Sequence, residues 1–376
     1  MYKSQQSETL SQVYNAIMTA VAAEEIFGGD DTANETEQLR QVKKCYQKLR
    51  ELLDPKNFND SSDAEMAADA SGRMEIFYEK AIVRINLGSY GLNQQPTIIG
   101  RQELPVIETA KRKYYFGEII AEGDIATIYR GDCQIGDEFA GQVAIKVIND
   151  PTDNDLMANE IRILEKLHSQ DAPQRKHLPT LLDRFRTDQG QSGIILRYLA
   201  DCYDLVDVRD RYPQGIDRKH MVWMLNRLLS AIGYLHSQGI THNNIEPTHL
   251  MIRPRDHNLF LIDYSYATLI PQLETGEGFK VVNDDFSPPE VSLKEAFPTP
   301  ATDIYCAGLC MIYALGGDIK ERTVPIGIEE ELVRFLETMT MSSQWQREQD
   351  AWQLHHQLNG LVVKLWGPKK FLRFEM

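Results

Sequence analysis

The chain lacks long apolar runs, spaced cysteines and an excess of basic charge. No apolar run approaches the roughly 20 residues that a membrane helix needs. The opening Met-Tyr-Lys-Ser-Gln-Gln-Ser-Glu has no apolar core of the kind that marks a secretory leader. A soluble cytoplasmic protein without membrane attachment is therefore expected. The five cysteines, Cys45, Cys133, Cys202, Cys306 and Cys310, are scattered, without metal-ligand spacing or a disulfide framework. Only Cys306 and Cys310 are close, four apart in an apolar helix-like run, and they read as buried packing. Forty Lys and Arg stand against 55 Asp and Glu, a net charge of −15. That balance argues against nonspecific binding of the whole molecule to nucleic acid or anionic membranes.

What is present is an ordinary globular balance, 42% hydrophobic and 25% charged over 376 residues, enough for two or three domains. Leu10, Val13, Ile17, Ala20 and Val21 recur at helical spacing and predict a helix over about 7–26, broken by Phe27-Gly28-Gly29-Asp30-Asp31. Leu39, Val42, Tyr46, Leu49, Leu52 and Leu53 predict a second helix. Arg40, Lys43, Lys44, Lys48 and Arg50 lie on its outer side, and Asp54-Pro55 stops it. Met66, Ala70, Met74, Phe77 and Ala81 mark a third helix. Residues 1–88 thus read as an all-α helical hairpin module, and 89–112, with Gly and Pro but no sustained period, as a linker. A helix ending in A-E-E-I-F-G, a basic helix ending in Y-Q-K-L-R-E-L-L-D-P-K-N, a polar loop and an antiparallel helix resemble a J-domain over residues 20–88. The resemblance implies contact with an Hsp70 ATPase through a His-Pro-Asp tripeptide. Here the matching place reads Leu53-Asp54-Pro55, without the His and with the other two out of order. A plain helical docking module with a solvated basic face is the competing reading.

From Tyr114 to Ala121 and from Thr127 to Tyr129, β-branched and aromatic residues predict two strands around Glu122-Gly123-Asp124. Val143-Ala144-Ile145-Lys146 is a further strand, and Asn159-Glu160-Ile161-Arg162-Ile163-Leu164 opens a well-patterned helix fourteen residues on. Ser192 to Leu199 reads as a buried strand. Met221, Met224, Leu225, Leu228, Ile232 and Leu235 form the stripe of a long helix. It delivers Thr241-His242-Asn243-Asn244-Ile245-Glu246-Pro247-Thr248-His249-Leu250, followed by Leu261-Ile262-Asp263-Tyr264-Ser265.

This order resembles a protein kinase over residues 112–360. The resemblance implies an α+β, two-lobed fold: a β-rich small lobe at 113–200, a mainly helical large lobe at 201–360 and a C-terminal tail at 361–376. It implies ATP as ligand, with magnesium or manganese. Ala121, Gly123 and Ala126 stand at the three glycine positions of the phosphate loop, where Ala restricts the backbone and Glu122 and Asp124 add negative charge. Lys146 matches the phosphate-binding Lys and Glu160 its partner, held either for nucleotide or as a structural strut. Leu196 falls at the gatekeeper position, and Tyr198 and Leu199 at the adenine-holding hinge.

The resemblance also shows what is altered. The family's loop reads H-R-D-x-K-P-x-N in outline, where the Asp takes the substrate proton, the Lys stabilises the transferring phosphoryl and the Asn holds metal. His242 and Pro247 remain. Asn244 replaces the Asp and cannot take a proton. Glu246 replaces the Lys with the opposite charge. His249 replaces the Asn with an imidazole that suits zinc or manganese better than magnesium. Asp263 remains at the metal turn, as a metal ligand or as a turn cap. Ser265 in place of Gly implies one locked conformation. Thr268, Thr275 and Ser287 lack a loop Arg to meet a phosphate, because Asn243 stands there. Glu290, Asp303 and Arg347 match architectural positions. Trp366, Phe371 and Phe374 alternate with basic residues in the tail, which either packs on the large lobe or meets a partner.

The expected function is that of a pseudokinase: a binding, scaffold or regulatory protein, nucleotide-binding at most, with protein partners and without efficient phosphoryl transfer. Two other readings remain. One is a weakly active Ser/Thr kinase or nucleotidyl transferase using Lys146, Glu160 and Asp263. The other is an Hsp70 co-chaperone or adaptor.

Overall fold

The computed structural model describes residues 2–20, 22–29, 34–58, 61–91, 105–109, 112–136, 138–270, 282–293 and 299–376. The fold is α+β: N-terminal helices, an antiparallel sheet, and a mainly helical remainder. The chain divides into two compact units. The first comprises Met1–Asn149, Leu182–Arg186 and Gly193–Tyr198, and the second the rest.

In the first unit, α1 (Tyr2–Thr19), α2 (Ala23–Phe27), α3 (Glu35–Leu52) and α4 (Ser61–Leu87) bury one shared core that includes Leu10, Ile17, Phe27, Val42, Met74 and Phe77. The helix expected over 7–26 is in fact two. Arg73 of α4 explains the break, because its guanidinium donates to the carbonyls of Ile17 (3.0 Å) and Ala20 (3.1 Å). Those are orphan acceptors at the end of α1, so the helix has no need to continue. The third helix extends six residues beyond Ala81, and this extension has a function in packing. Val83 and Leu87 leave the helical core and join the core of the sheet, with Tyr114, Cys133, Val143, Ile145 and Ile195. The sheet runs β1 (Val106–Glu108), β2 (Lys113–Glu122), β3 (Ala126–Ile135), β4 (Glu138–Ile148), β6 (Ser192–Arg197), β5 (Leu181–Arg186).

The stretch read as a linker is therefore partly structural. Ser89 and Tyr90 are buried, and Val106–Glu108 pair with β2. Residues 92–104, 110 and 111 of that stretch lie outside those described. Ser89 Oγ donates to the Ala140 carbonyl at 2.7 Å. Gly141 beside it has φ +153°, and a Cβ there would lie 3.0 Å from Ser89 Oγ and 3.1 Å from Leu87 Cβ. The close approach of α4 to β4 needs a glycine at this bulge. Lys80 with Glu138 (2.9 Å), and Arg197 with Glu35, join helices to sheet at the rim.

The second unit contains α5 (Asn154–His168), α6 (Leu205–Arg211) and α7 (Arg218–Ser237), with later helices at Pro300–Ala314, Glu330–Met339 and Ala351–Trp366. Two small ribbons frame the loop after α7: β7 (Ile240–Thr241) with β10 (Thr268–Leu269), and β8 (Leu250–Arg253) with β9 (Asn258–Leu261). Helix Pro300–Ala314 is almost wholly buried and, apart from Thr302 and Asp303 in its first turn, apolar on most sides, the pattern of a central helix. Cys306 and Cys310 lie in it, and burial pushes both thiols up. The tail packs back on this unit. Phe374 is buried against Tyr212, with ring centroids 5.5 Å apart, and Tyr212 Oη donates to the Glu375 carbonyl at 2.6 Å. Among the described residues no helix is long and apolar enough to cross a membrane.

Candidate functional site

The candidate residues fall in both units, and each group is described within its own. In the first unit, Ala121, Gly123 and Ala126 lie where β2 turns into β3. The turn is closed by Gly123 N–H to the Ala126 carbonyl (3.0 Å). Asn149, which the sequence did not single out, fastens it further. Its Nδ2 donates to the Gly123 carbonyl at 2.8 Å, and its Oδ1 accepts from Thr127 Oγ1 at 2.8 Å. Its own N–H donates to the Ile125 carbonyl (2.7 Å). With these bonds made, the loop is a fixed hairpin bearing exposed Glu122 and Asp124. Lys146 is buried on β4, opposite Ile128 and Ile194 in register. Leu196 and Tyr198 lie in or just after β6.

In the second unit the loop after α7 is hung from one carboxylate. Asp303, fully buried, accepts from the N–H groups of Asn243 (2.8 Å) and His242 (2.8 Å), and its Oδ2 lies 2.9 Å from His236 Nε2. This fixes Asn243 at φ +77°, a left-handed conformation that Asn tolerates better than most residues. Its Nδ2 donates to the Tyr266 carbonyl at 2.9 Å. His242 Nε2 reaches the Ile262 carbonyl at 3.0 Å, and its ring meets Tyr264 edge-on at 4.8 Å. Burial outweighs the nearby Asp303 charge and pulls His242 down to about 4. His242 is therefore a neutral strut at pH 7.

The altered residues converge around His249. Its Nδ1 donates to the Asn244 carbonyl at 2.7 Å. Its Nε2 is left 3.6 Å from Glu246 Oε1 and 3.6 Å from Asp263 Oδ2, contacts that become ion pairs when the imidazole is protonated. Glu246 also accepts from Thr248 Oγ1 (2.6 Å) and from Asn283 Nδ2. Asp263 is held at φ +64° and accepts from Ser265 N–H at 3.2 Å, the bond of a turn cap. The residues present do not fit the all-oxygen site that magnesium takes. One imidazole fills the amide position, and among the described residues no group of three or more acidic, His or Cys side chains is placed to hold a metal.

Glu160, on α5, is buried, and this unit supplies it with two donors: Tyr264 N–H (3.2 Å) and Ser265 Oγ (3.1 Å). Asn159 beside it donates to the carbonyls of Ser265 (2.9 Å) and Ala267 (2.8 Å). The hydroxyl of Ser265 thus ties the turn after Asp263 to α5, a bond that a glycine could not make. Glu290 and Arg347 meet as a buried two-pronged pair at 2.8 and 2.5 Å. The Arg347 guanidinium also donates to the carbonyls of Met341, Ala301 and Ser342. Thr268 lies in β10, Ser287 N–H donates to the Asn283 carbonyl at 3.0 Å, and Thr275 lies outside the described residues.

A family profile described as the protein kinase domain matches residues 114–373. The chain belongs to the protein kinase family. It is 26% identical over 229 residues to the serine/threonine-protein kinase pim-2 of Danio rerio, a match covering 56% of this chain and 70% of that one. It is 25% identical over 232 residues to the cyclin-dependent kinase C-1 of Arabidopsis thaliana, covering 59% and 44%. It is 27% identical over 173 residues to serine/threonine-protein kinase F of Synechocystis sp., covering 43% and 34%. The chain spans less than half the length of the second and third of these relatives. Within the kinase domain, Asp303 hangs the loop that carries Asn244, Glu246 and His249. Three contacts were not anticipated from the sequence: the grip of Asn149 on the phosphate loop, the bond from Ser265 to Glu160, and the filling of the loop by His249. Only the positions of Ser265 and His249 carried a signal, as departures from the family pattern.

Proposed function

We propose that this chain is a pseudokinase, a kinase domain that serves as a binding and scaffold module for protein partners and does not transfer phosphoryl groups efficiently. The observation that carries the reading is the surroundings of His249. A substrate hydroxyl at Asn244 would find no base, since an amide side chain cannot take its proton. A transferring phosphoryl would meet the carboxylate of Glu246 where a lysine should stand, charge of the wrong sign for a transition state that gathers negative charge. The turn after Asp263, tied to α5 through Ser265 and Glu160, supports a single fixed arrangement of this region.

Nucleotide binding without transfer is part of the proposal. Ala121, Gly123, Ala126, Lys146, Tyr198 and Leu199 are the residues that would hold ATP. The test is thermal unfolding with and without millimolar ATP, with magnesium, with manganese and without metal. A ligand at ten times its Kd stabilises the folded state by about 1.4 kcal/mol, a shift of a few degrees. A rise lost in Lys146→Ala supports a nucleotide-holding module. No rise under any condition removes ATP from the account and leaves the scaffold role alone.

The N-terminal helices support a J-like module used for docking rather than for Hsp70 stimulation. Leu53 is buried, and Asp54 is used locally, accepting from Lys56 N–H at 3.0 Å at the start of a one-turn helix. The tripeptide position is therefore spent on closing the loop between α3 and α4. Purified protein should leave an Hsp70's ATP hydrolysis rate unchanged; acceleration would restore the co-chaperone reading.

A further inference from the structure

Away from the catalytic loop, the second unit contains a cavity of about 340 Å³ between α7, the turn after β8, helix Ala351–Trp366 and the chain from Gly367 to Leu372. That volume lies at the lower end of the ~300–1,000 Å³ typical of small-molecule sites. Its wall carries four cations, Lys219, Arg227, Lys369 and Lys370, in a chain whose net charge is −15. The one carboxylate in the wall, Asp256, is already taken by Arg253 through two contacts of 3.0 and 2.7 Å. Arg227 commits only its Nε, to the His257 carbonyl at 3.1 Å, and its two terminal nitrogens have no partner among the described residues. Lys369 is held by Asn359 Oδ1. Burial first, and then the charge of Arg227, keep its amine below the usual value. Arg227 and Lys369 thus repel one another, and an anion placed between them would relieve that repulsion.

The remaining wall is aromatic and apolar. Trp366 lies under Lys219, 5.6 Å from its ring centre. The His257 ring is sandwiched between Trp223 (4.4 Å, 3° between planes) and Phe371 (4.1 Å, 20°). His257 is 7% exposed, and the Leu372 backbone lies within hydrogen-bonding reach of its ring, so this residue forms wall of the cavity rather than a ligand contact. A lone carboxylate would leave most of the positive charge unmatched. A phosphate offers two charges and three acceptor oxygens to the guanidinium fork and the ammonium groups. A bare phosphate, in turn, would leave the flat apolar wall uncovered.

We propose that this cavity binds a small phosphate-bearing ligand with a flat apolar body, the phosphate on Arg227, Lys369 and Lys370 and the body along Trp366 and Phe371. The probe is 1-naphthyl phosphate, titrated calorimetrically into the full chain, with inorganic phosphate and 1-naphthol as its two halves. One-to-one saturable binding is expected, with each half at least tenfold weaker. Lys369→Gln and Lys370→Gln should each weaken the probe roughly tenfold or more, the loss of one charged hydrogen bond. Lys370 is exposed, so its replacement does not endanger folding. Lys146→Ala should leave the affinity unchanged. The proposal is overturned by absence of saturable binding at millimolar probe, or by 1-naphthol binding as tightly as its phosphate. It is equally overturned by affinity that survives both lysine changes or is lost in Lys146→Ala.

Discussion

Asp303→Asn tests how the catalytic loop is held. The two oxygens of Asp303 take one backbone N–H each, from Asn243 and His242, both at 2.8 Å in a fully buried site. Asparagine keeps the shape but replaces one acceptor by an NH₂ group. Whichever way the amide turns, one of the two loop N–H groups faces a donor. A buried orphan N–H costs about 1–3 kcal/mol, and losing the charged acceptor weakens the surviving bonds by roughly 1 more. The expected destabilisation is about 2–4 kcal/mol. All four tryptophans, Trp223, Trp345, Trp352 and Trp366, lie in the second unit. Urea unfolding followed by tryptophan fluorescence therefore reads this unit alone. With a slope of about 2 kcal/mol per molar, the midpoint should fall by about 1–2 M. A loss under about 1 kcal/mol would refute the reasoning, because the loop would then be held by something other than Asp303.

Other predictions follow from the same contacts. Ser265→Gly should cost about 1.5–3 kcal/mol, the value of a hydrogen bond to a charged acceptor plus added backbone freedom, and should speed hydrogen exchange at Tyr264 and Ser265 while leaving the amides of helix Glu330–Met339 protected. Gly141→Val should loosen α4 from β4, seen as faster proteolysis within α4, since the side chain meets Leu87 and Ser89 at 3.0–3.1 Å in a positive-φ position. Burial pulls both His242 and His177 down from 6.5 to about 4. Below pH 6.5 the unfolded chain gains protons that the folded one refuses. Stability is thus full above pH 6.5 and falls as pH drops toward 4, by roughly 3 kcal/mol per histidine over the whole window. The urea midpoint should decline from pH 7 to pH 5, and His177→Gln should flatten that decline.

Much of the kinase domain was legible because its residues lie in chain order with family spacing: Lys146 on a strand, Glu160 on the following helix, His242 and Asp263 after a long apolar helix. The long helix itself was readable from the stripe Met221 to Leu235. What the sequence hid were contacts made between distant segments. Periodicity showed that α4 has an apolar face but not that Val83 and Leu87 cover the sheet while Met74 and Phe77 cover helices. The end of α1 was invisible because its cap, Arg73, lies more than 50 residues away. Strand β1 is three residues long, too short to show any period within the stretch 89–112. At the candidate site, substitutions at Asn244, Glu246 and His249 could be read as losses. Their replacement contacts, His249 on the Asn244 carbonyl and Glu246 with Asn283, needed coordinates.

The central claim is tested most directly by incubating purified protein with γ-labelled ATP, a generic acceptor protein and either magnesium or manganese. The account predicts no label on the protein or the acceptor above that of Lys146→Ala. Transfer that is clear in the parent chain and abolished in Lys146→Ala would contradict it and make this chain a working kinase despite Asn244 and Glu246.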